Sequence, residues 1–289
     1  MKYQTTALAE RFGSTLFGLV VACGIAAAPH DTATAAPVTS WPDSVTANYQ
    51  ITFNGFDIGS FRFKADVAPE GYRLTGHADI SALLGIIEWR GLTKSAGRVH
   101  GNKPQPSDYS FNFRSKEKAG TVKMGFGKHE VTSFSMRPLM PPKPGEVPLE
   151  RKHLKKVVDP LTAVMAMTRA PGRNPCAMTI PVFDGKQRFN LALAYKGQEQ
   201  LPAIRGAKAQ VGFVCQVRYQ PIAGYVPDSA TIAMANERDI EIVLRPVRDA
   251  NLMVPHEIRI PTIAGTARLT SKSLHVRGND SGQLISAKR

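Results

Sequence analysis

Tyr49-Gln50-Ile51-Thr52-Phe53-Asn54-Gly55, resumed by Phe61-Arg62-Phe63-Lys64-Ala65-Asp66-Val67, is the stretch that sets the architecture. Apolar residues return at every second position on both sides of an Asn-Gly pair. A period of two sends alternate side chains to opposite faces of a strand. Asn-Gly supplies the two positive-φ residues that a tight hairpin turn needs. The stretch therefore reads as an antiparallel hairpin with one face in a core and the other in water.

The same pattern continues outward. Pro69-Glu70-Gly71 marks a turn and Tyr72–Ile80 a third strand; Leu83–Trp89 is apolar and fits either a short helix or a buried strand. Ser95–His100, Asp108–Arg114, Gly120–Phe126 and Glu130–Met136 are further strands, separated by Gly, Pro and Lys clusters. Pro138–Pro148 is too proline-rich for a central strand or helix, and reads as a long exposed connection dividing the chain into two halves.

One helix follows. Asp159 suits the N-cap, Pro160 the first helical position, where its missing N–H costs nothing, and Pro171-Gly172 the stop. Leu161, Val164, Met165 and Thr168 fall on one side of it. Strands then return at Met178–Phe183, Arg188–Tyr195 across an Asp184-Gly185 turn, Gln210–Tyr219, Asp239–Arg248, Pro255–Ile260 and Gly265–Ser271. The fold class expected is mainly β: a curved antiparallel sheet or incomplete barrel or spiral of about eleven or twelve strands with one or two short helices. A single domain over residues 36–277 is expected, with a frayed basic tail at 278–289.

The leading residues read as an export signal over 1–35. Lys2 and Arg11 precede or flank an apolar run, Leu16–Ala28, too short to span a bilayer, and Ala33-Thr34-Ala35 offers the small residues that signal peptidase accepts. Val20-Val21-Ala22-Cys23 also resembles a lipobox, so a soluble product starting near Ala36 and a lipoprotein anchored through Cys23 both stay open. The destination expected is the periplasm, with no transmembrane helix in the mature chain. Lys2, Arg11, Glu10 and Asp31 cancel, so the mature protein keeps the whole net charge of +14.

Soluble processing leaves two cysteines, Cys176 and Cys215, which in an oxidising compartment are expected to pair. No His/Cys spacing suits zinc. The familiar enzyme signatures are missing from the sequence: there is no G-x-S-x-G elbow and no Walker A loop, and both His129-Glu130 and His256-Glu257 lack the second histidine of H-E-x-x-H. No catalytic residue, cofactor or metal ligand is therefore assigned. Glu241, alternating with Ile240 and Ile242, reads as the solvated face of its strand together with Asp239.

The densest positive run is Arg151-Lys152-His153-Leu154-Lys155-Lys156. Arg151, Lys152, Lys155 and Lys156 are the candidate contacts for an anionic ligand such as lipid, lipopolysaccharide, wall polymer or an acidic envelope protein. Nucleic acid is not expected, because stacking aromatics are not interleaved with the cations.

Asp159-Pro160-Leu161-Thr162-Ala163, Val182-Phe183-Asp184-Gly185-Lys186, Cys215-Gln216-Val217-Arg218-Tyr219, Pro221-Ile222-Ala223-Gly224-Tyr225 and Val254-Pro255-His256-Glu257-Ile258 follow in order. With Tyr49-Gln50-Ile51 and Asp57-Ile58-Gly59, they resemble the bacterial exported family catalogued as domain of unknown function 3108 over about Tyr49 to Thr270. The resemblance implies an envelope-associated, mainly β fold and carries no catalytic residues. The function expected is non-enzymatic support of the cell envelope through an anionic partner; the alternative is a hydrolase or transferase acting on wall or lipid substrates.

Overall fold

The computed structural model describes residues 41–289 apart from 83–84, 86, 170–173, 203–209, 228–239, 248–249, 263, 279–284 and 289. The segment expected to be an export signal, with Cys23, lies outside the described residues, and so does Asp239. The first half is a meander of seven strands: β1 (Ser44–Phe53), β2 (Phe56–Ala68), β3 (Gly71–Ala82), β4 (Ile87–His100), β5 (Lys103–Ser115), β6 (Ala119–Gly127) and β7 (Glu130–Arg137). A 3-10 turn (Arg151–Leu154) and helix α1 (Pro160–Thr168) follow. The second half holds β8 (Met178–Phe183), β9 (Arg188–Leu201), β10 (Gln210–Ala223), β11 (Ile240–Val247), β12 (Leu252–Thr262), β13 (Gly265–Arg277) and β14 (Ile285–Lys288). Ile87 opens β4, so the ambiguous apolar stretch is strand from that residue onward.

Each half is a simple antiparallel meander, and one long-range pairing joins them. The sheet order is β7-β6-β5-β4-β3-β2-β1-β13-β12-β11-β10-β9-β8, with β14 beside β13. The first strand pairs with the thirteenth over its full length, from Ser44↔Arg277 to Phe53↔Ala267. Asn54 reinforces this seam: its amide donates to the Ala264 carbonyl (3.1 Å) and its Oδ1 accepts from Thr266 N (2.9 Å), tying the β1–β2 turn to the β12–β13 turn. The proline-rich connection thus links two halves of one continuous sheet rather than two bodies.

The sheet curls without closing, and its free edges are β7 and β8. The connection fills the gap. Lys155 bridges to Glu130 at the start of β7, and Val158 bridges in parallel to Val182 of β8. Val147 reaches Tyr225 and Gly224 by two backbone hydrogen bonds of 2.8 Å. Across the gap Phe134 meets Phe183 edge to face at 5.4 Å. Prolines suit this place, since a segment lying along edges needs few ladder donors.

Curvature leaves room on the concave side for α1. Its Leu161 and Met165 join the core formed by β1, β2, β3, β12, β13 and the end of β11, and its Ala163 and Met167 join the core of β8, β9, β10 and β11. Leu161, Thr162, Ala163, Met165, Met167 and Thr168 are all buried, so the helix is enclosed nearly all round. The one-sided stripe expected from sequence is corrected here. A helix inside a curled sheet has no solvent face to leave polar. Cys176, just before β8, and Cys215 of β10 form a fully buried disulfide with Cα atoms 5.4 Å apart.

Candidate functional site

The basic run keeps its exposure and gains neighbours. Arg151, Lys152, Lys155 and Lys156 are exposed. Lys152 pairs with Glu150 at 2.9 Å, which also holds the Glu150 carboxyl below its ordinary range. Among the described residues no ion pair involves Arg151, Lys155 or Lys156. His153 is turned inward to its own turn, its Nδ1 accepting from Glu150 N at 3.1 Å. Lys156 N donates to the His129 carbonyl at 2.6 Å, so the β6–β7 turn lies against the run. That turn places exposed Lys128 and His129 beside the cluster, both at positive φ (50° and 66°). Lys128 thus joins the candidate cluster, and the sequence reading missed it. Two consecutive positive-φ residues make a tight hairpin turn, but Lys-His carries none of the Asn or Gly chemistry that announces one.

Behind this rim, Asp159 anchors a buried polar knot. Its Oδ1 accepts from Leu161 N and Thr162 N, both at 3.0 Å, which is the expected N-cap. Its Oδ2 accepts from Ser95 Oγ (2.9 Å) and Thr162 Oγ1 (2.5 Å), and Thr162 Oγ1 in turn lies 2.9 Å from the Tyr72 hydroxyl. Each hydroxyl has one proton, so Tyr72 donates to Thr162 while Thr162 and Ser95 donate to the carboxylate. Burial pushes the Asp159 carboxyl above its ordinary range, with the four donors acting in the opposite sense. Asp159 and Thr162 are fully buried and Ser95 nearly so. The knot spends its polar atoms on holding α1 against β3 and β4.

Below the C-terminal half of α1 lies an apolar slot of about 70 Å³. Val45, Ala47 and Tyr49 of β1 and Phe63 and Ala65 of β2 make its floor. Val254 and Ile258 of β12 and Leu269 of β13 form a wall, Val164, Met165 and Thr168 a lid, and Trp41 closes one end. Its two lining hydroxyls are already engaged: Tyr49 donates to the Pro255 carbonyl at 2.9 Å, and Thr168 to the Met165 carbonyl at 2.7 Å. Burial holds the Tyr49 phenol well above its ordinary range. Left empty, such a space costs about 2 kcal/mol at ~24 cal/mol per Å³. The guanidinium of Arg169, the C-cap of α1, stacks 4.6 Å over the Trp41 ring, and burial lowers its pKa.

The outer sheet face carries a separate ion cluster. Arg259 of β12 meets Glu199 (2.8 Å), Glu241 (3.2 Å) and Glu257 (3.0 Å); Lys196 also contacts Glu241, and Arg268 contacts Glu257 at 2.6 Å. Burial pulls the Arg259 pKa down, but Glu257 and Glu199 outweigh it and raise it. Glu241 is therefore no freely solvated side chain, as its alternation suggested: its side chain is 20% exposed and shared by two cations across three strands. Three cations against three carboxylates leave this cluster neutral, so it adds nothing to the cationic rim. Among the described residues no three His, Cys, Asp or Glu side chains gather closely enough to hold a metal ion, and no helix is long and apolar enough to cross a membrane.

A family described as "Protein of unknown function (DUF3108)" matches residues 48–272, from within β1 to within β13. No curated protein and no solved structure matches the chain.

Proposed function

For this chain, which belongs to the DUF3108 family, we propose a non-enzymatic role in the periplasm: support of cell-envelope integrity by engaging an anionic lipid, glycan or envelope protein. The observation that supports this most is the cationic rim. Arg151, Lys155 and Lys156 meet Lys128 from a separate hairpin, all exposed and without ion pairs among the described residues. A cation close to an anionic surface contributes about 1 kcal/mol, so four acting together hold a protein at a membrane or wall polymer at physiological salt. The net charge of +14 adds long-range attraction of the same sign.

The test is genetic and biochemical together. A deletion strain grows poorly under detergent or wall stress, and the wild-type gene restores it. A variant carrying Arg151→Glu, Lys155→Glu and Lys156→Glu, exported and folded, restores it poorly and loses salt-sensitive binding to phosphatidylglycerol vesicles. A deletion strain indistinguishable from its parent, or full rescue by the reversed variant, overturns the proposal. Mass spectrometry of the mature amino terminus distinguishes export as a soluble product near Ala36 from anchoring through an acylated Cys23.

A further inference from the structure

We propose that the outer face of strands β2 to β7 binds a linear polysaccharide carrying one anionic group on every second sugar. This surface is separate from the cationic rim, and its assignment does not rest on the rim.

The register of six strands lays a regular row across that face. Lys64 of β2 stands opposite Thr75 of β3, and Thr75 opposite Lys94 of β4. Lys94 in turn stands opposite Ser110 of β5, Ser110 opposite Lys123 of β6, and Lys123 opposite Ser135 of β7. A cation thus alternates with a hydroxyl from strand to strand. Directly opposed residues share a face, and the next residue along a strand takes the other one. The neighbours of the row along their strands, Phe63, Leu74, Ser95, Tyr109, Val122 and Met124, are buried, so the row itself points outward.

The charge on this face is in excess. All three lysines are exposed. Lys64 pairs with Asp66 at 2.8 Å, and among the described residues no ion pair involves Lys94 or Lys123. The rows on either side add Arg62, Arg73 and Arg137 against Asp66 and Asp108 alone. The Arg259 cluster on the other half of the sheet is neutral by contrast.

Spacing and curvature choose the partner. Neighbouring strands lie about 4.8 Å apart, so cations on alternate strands stand about 10 Å apart with a hydroxyl midway. A linear chain of pyranose sugars advances by about one strand spacing per unit, so alternate anionic and neutral sugars meet alternate lysines and hydroxyls. Lysine acts on an anion as a point charge, and Ser and Thr hydroxyls both donate to and accept from sugar hydroxyls. Because α1 occupies the concave side, this face is convex. A flexible chain follows the row around the curl, whereas a flat bilayer touches only part of it. Nucleic acid carries a charge on every unit and binds by stacking on aromatics; among the described residues of these three rows none is Phe, Tyr or Trp.

Hyaluronan hexasaccharide, which carries a carboxylate on every second sugar, is the probe, and calorimetric titration of the purified protein is the measurement. We expect saturable binding that weakens as salt is raised. Lys64→Gln/Lys94→Gln/Lys123→Gln weakens it by roughly tenfold or more, while Arg151→Gln/Lys155→Gln/Lys156→Gln, which gives up the same charge at the rim, stays within roughly twofold of the parent. Lys94→Gln/Ser110→Lys keeps the net charge but moves one cation by one strand, and it weakens binding by roughly threefold or more. Every substituted position on the face is a solvent-facing strand position, and near-ultraviolet circular dichroism checks that each variant is folded. Phosphatidylglycerol vesicles report on the rim: the face variant binds them like the parent, and their failure to bind the parent overturns the rim and leaves this inference standing. The inference is overturned by absence of saturable hexasaccharide binding, by equal losses in the two variants of equal charge, or by parental affinity in the shifted variant. Vesicle binding lost in the face variant and kept in the rim variant makes a bilayer the partner and overturns it too.

Discussion

Replacing Asp159 tests whether the curled sheet depends on the polar knot that seats its helix. In Asp159→Ala the N-cap is lost, which costs about 1 kcal/mol. Ser95 Oγ and Thr162 Oγ1, 3.0 Å apart, then pair with each other, leaving one hydroxyl proton and the buried amides of Leu161 and Thr162 short of an acceptor. Each such group costs about 1–3 kcal/mol. Release of a buried carboxylate offsets part of this, for a net loss of about 3 kcal/mol, or about 6–12 °C in Tm for a domain of this size. Asp159→Asn keeps an acceptor for both amides and leaves only one hydroxyl proton of the Ser95–Thr162 pair without an acceptor, so it loses about 1–2 kcal/mol, less than alanine. Urea unfolding of the disulfide-intact protein at neutral pH measures both. The pH dependence supplies a second arm. Because the folded carboxyl titrates above its ordinary value of 3.8, the folded state holds a proton that the unfolded state has released. Its contribution is complete below that value and is lost as pH rises through the folded pKa. Wild type should therefore lose stability relative to Asp159→Asn as pH climbs from 4 upward. A cost below about 1 kcal/mol for alanine, equal costs for both variants, or a pH trend of the opposite sign would refute the reasoning.

Three more outcomes follow from the geometry. Replacing Cys176 and Cys215 by serine opens a loop spanning a separation of 39 residues and should cost up to about 4 kcal/mol in the chain-entropy account, read as a lower urea midpoint. Gly59→Ala should destabilise by about 2 kcal/mol or more: at φ +154° an added Cβ would lie 2.1 Å from the Asp79 carbonyl oxygen on β3, and a thermal scan will show it. Burial holds Tyr49, Tyr72 and Tyr109 well above the ordinary 10.0 and pushes Tyr219 up to about 12. Folded tyrosines keep protons that unfolded ones release, so stability present below pH 10 should fall as pH rises beyond it, and phenolate absorbance should grow in step with unfolding rather than before it.

How much was legible beforehand follows from the range of each interaction. Alternation around Asn54-Gly55 is a local property, and it determined by itself that β1 and β2 form a hairpin with Tyr49, Ile51 and Phe63 turned inward. Asp159-Pro160 likewise marked the helix start, because a cap is made within three residues. The Cys176–Cys215 bridge was readable because only two cysteines lie beyond Cys23 in the sequence. Other features depend on distant chain segments meeting. Alternation says which face of a strand is buried but not which strand lies beside it, so the β1–β13 pairing, more than two hundred residues apart in sequence, belongs to the tertiary structure alone. That pairing turns two meanders into one curled sheet and makes an interior, which is why α1 is buried on nearly every side although its sequence could equally have covered a surface. The assembled fold also sets the Lys128 turn against Lys156 through the connecting segment and leaves the slot under Met165. An unfilled space is a difference between the volume a backbone encloses and the volume its side chains occupy, and only the assembled fold determines the first of these.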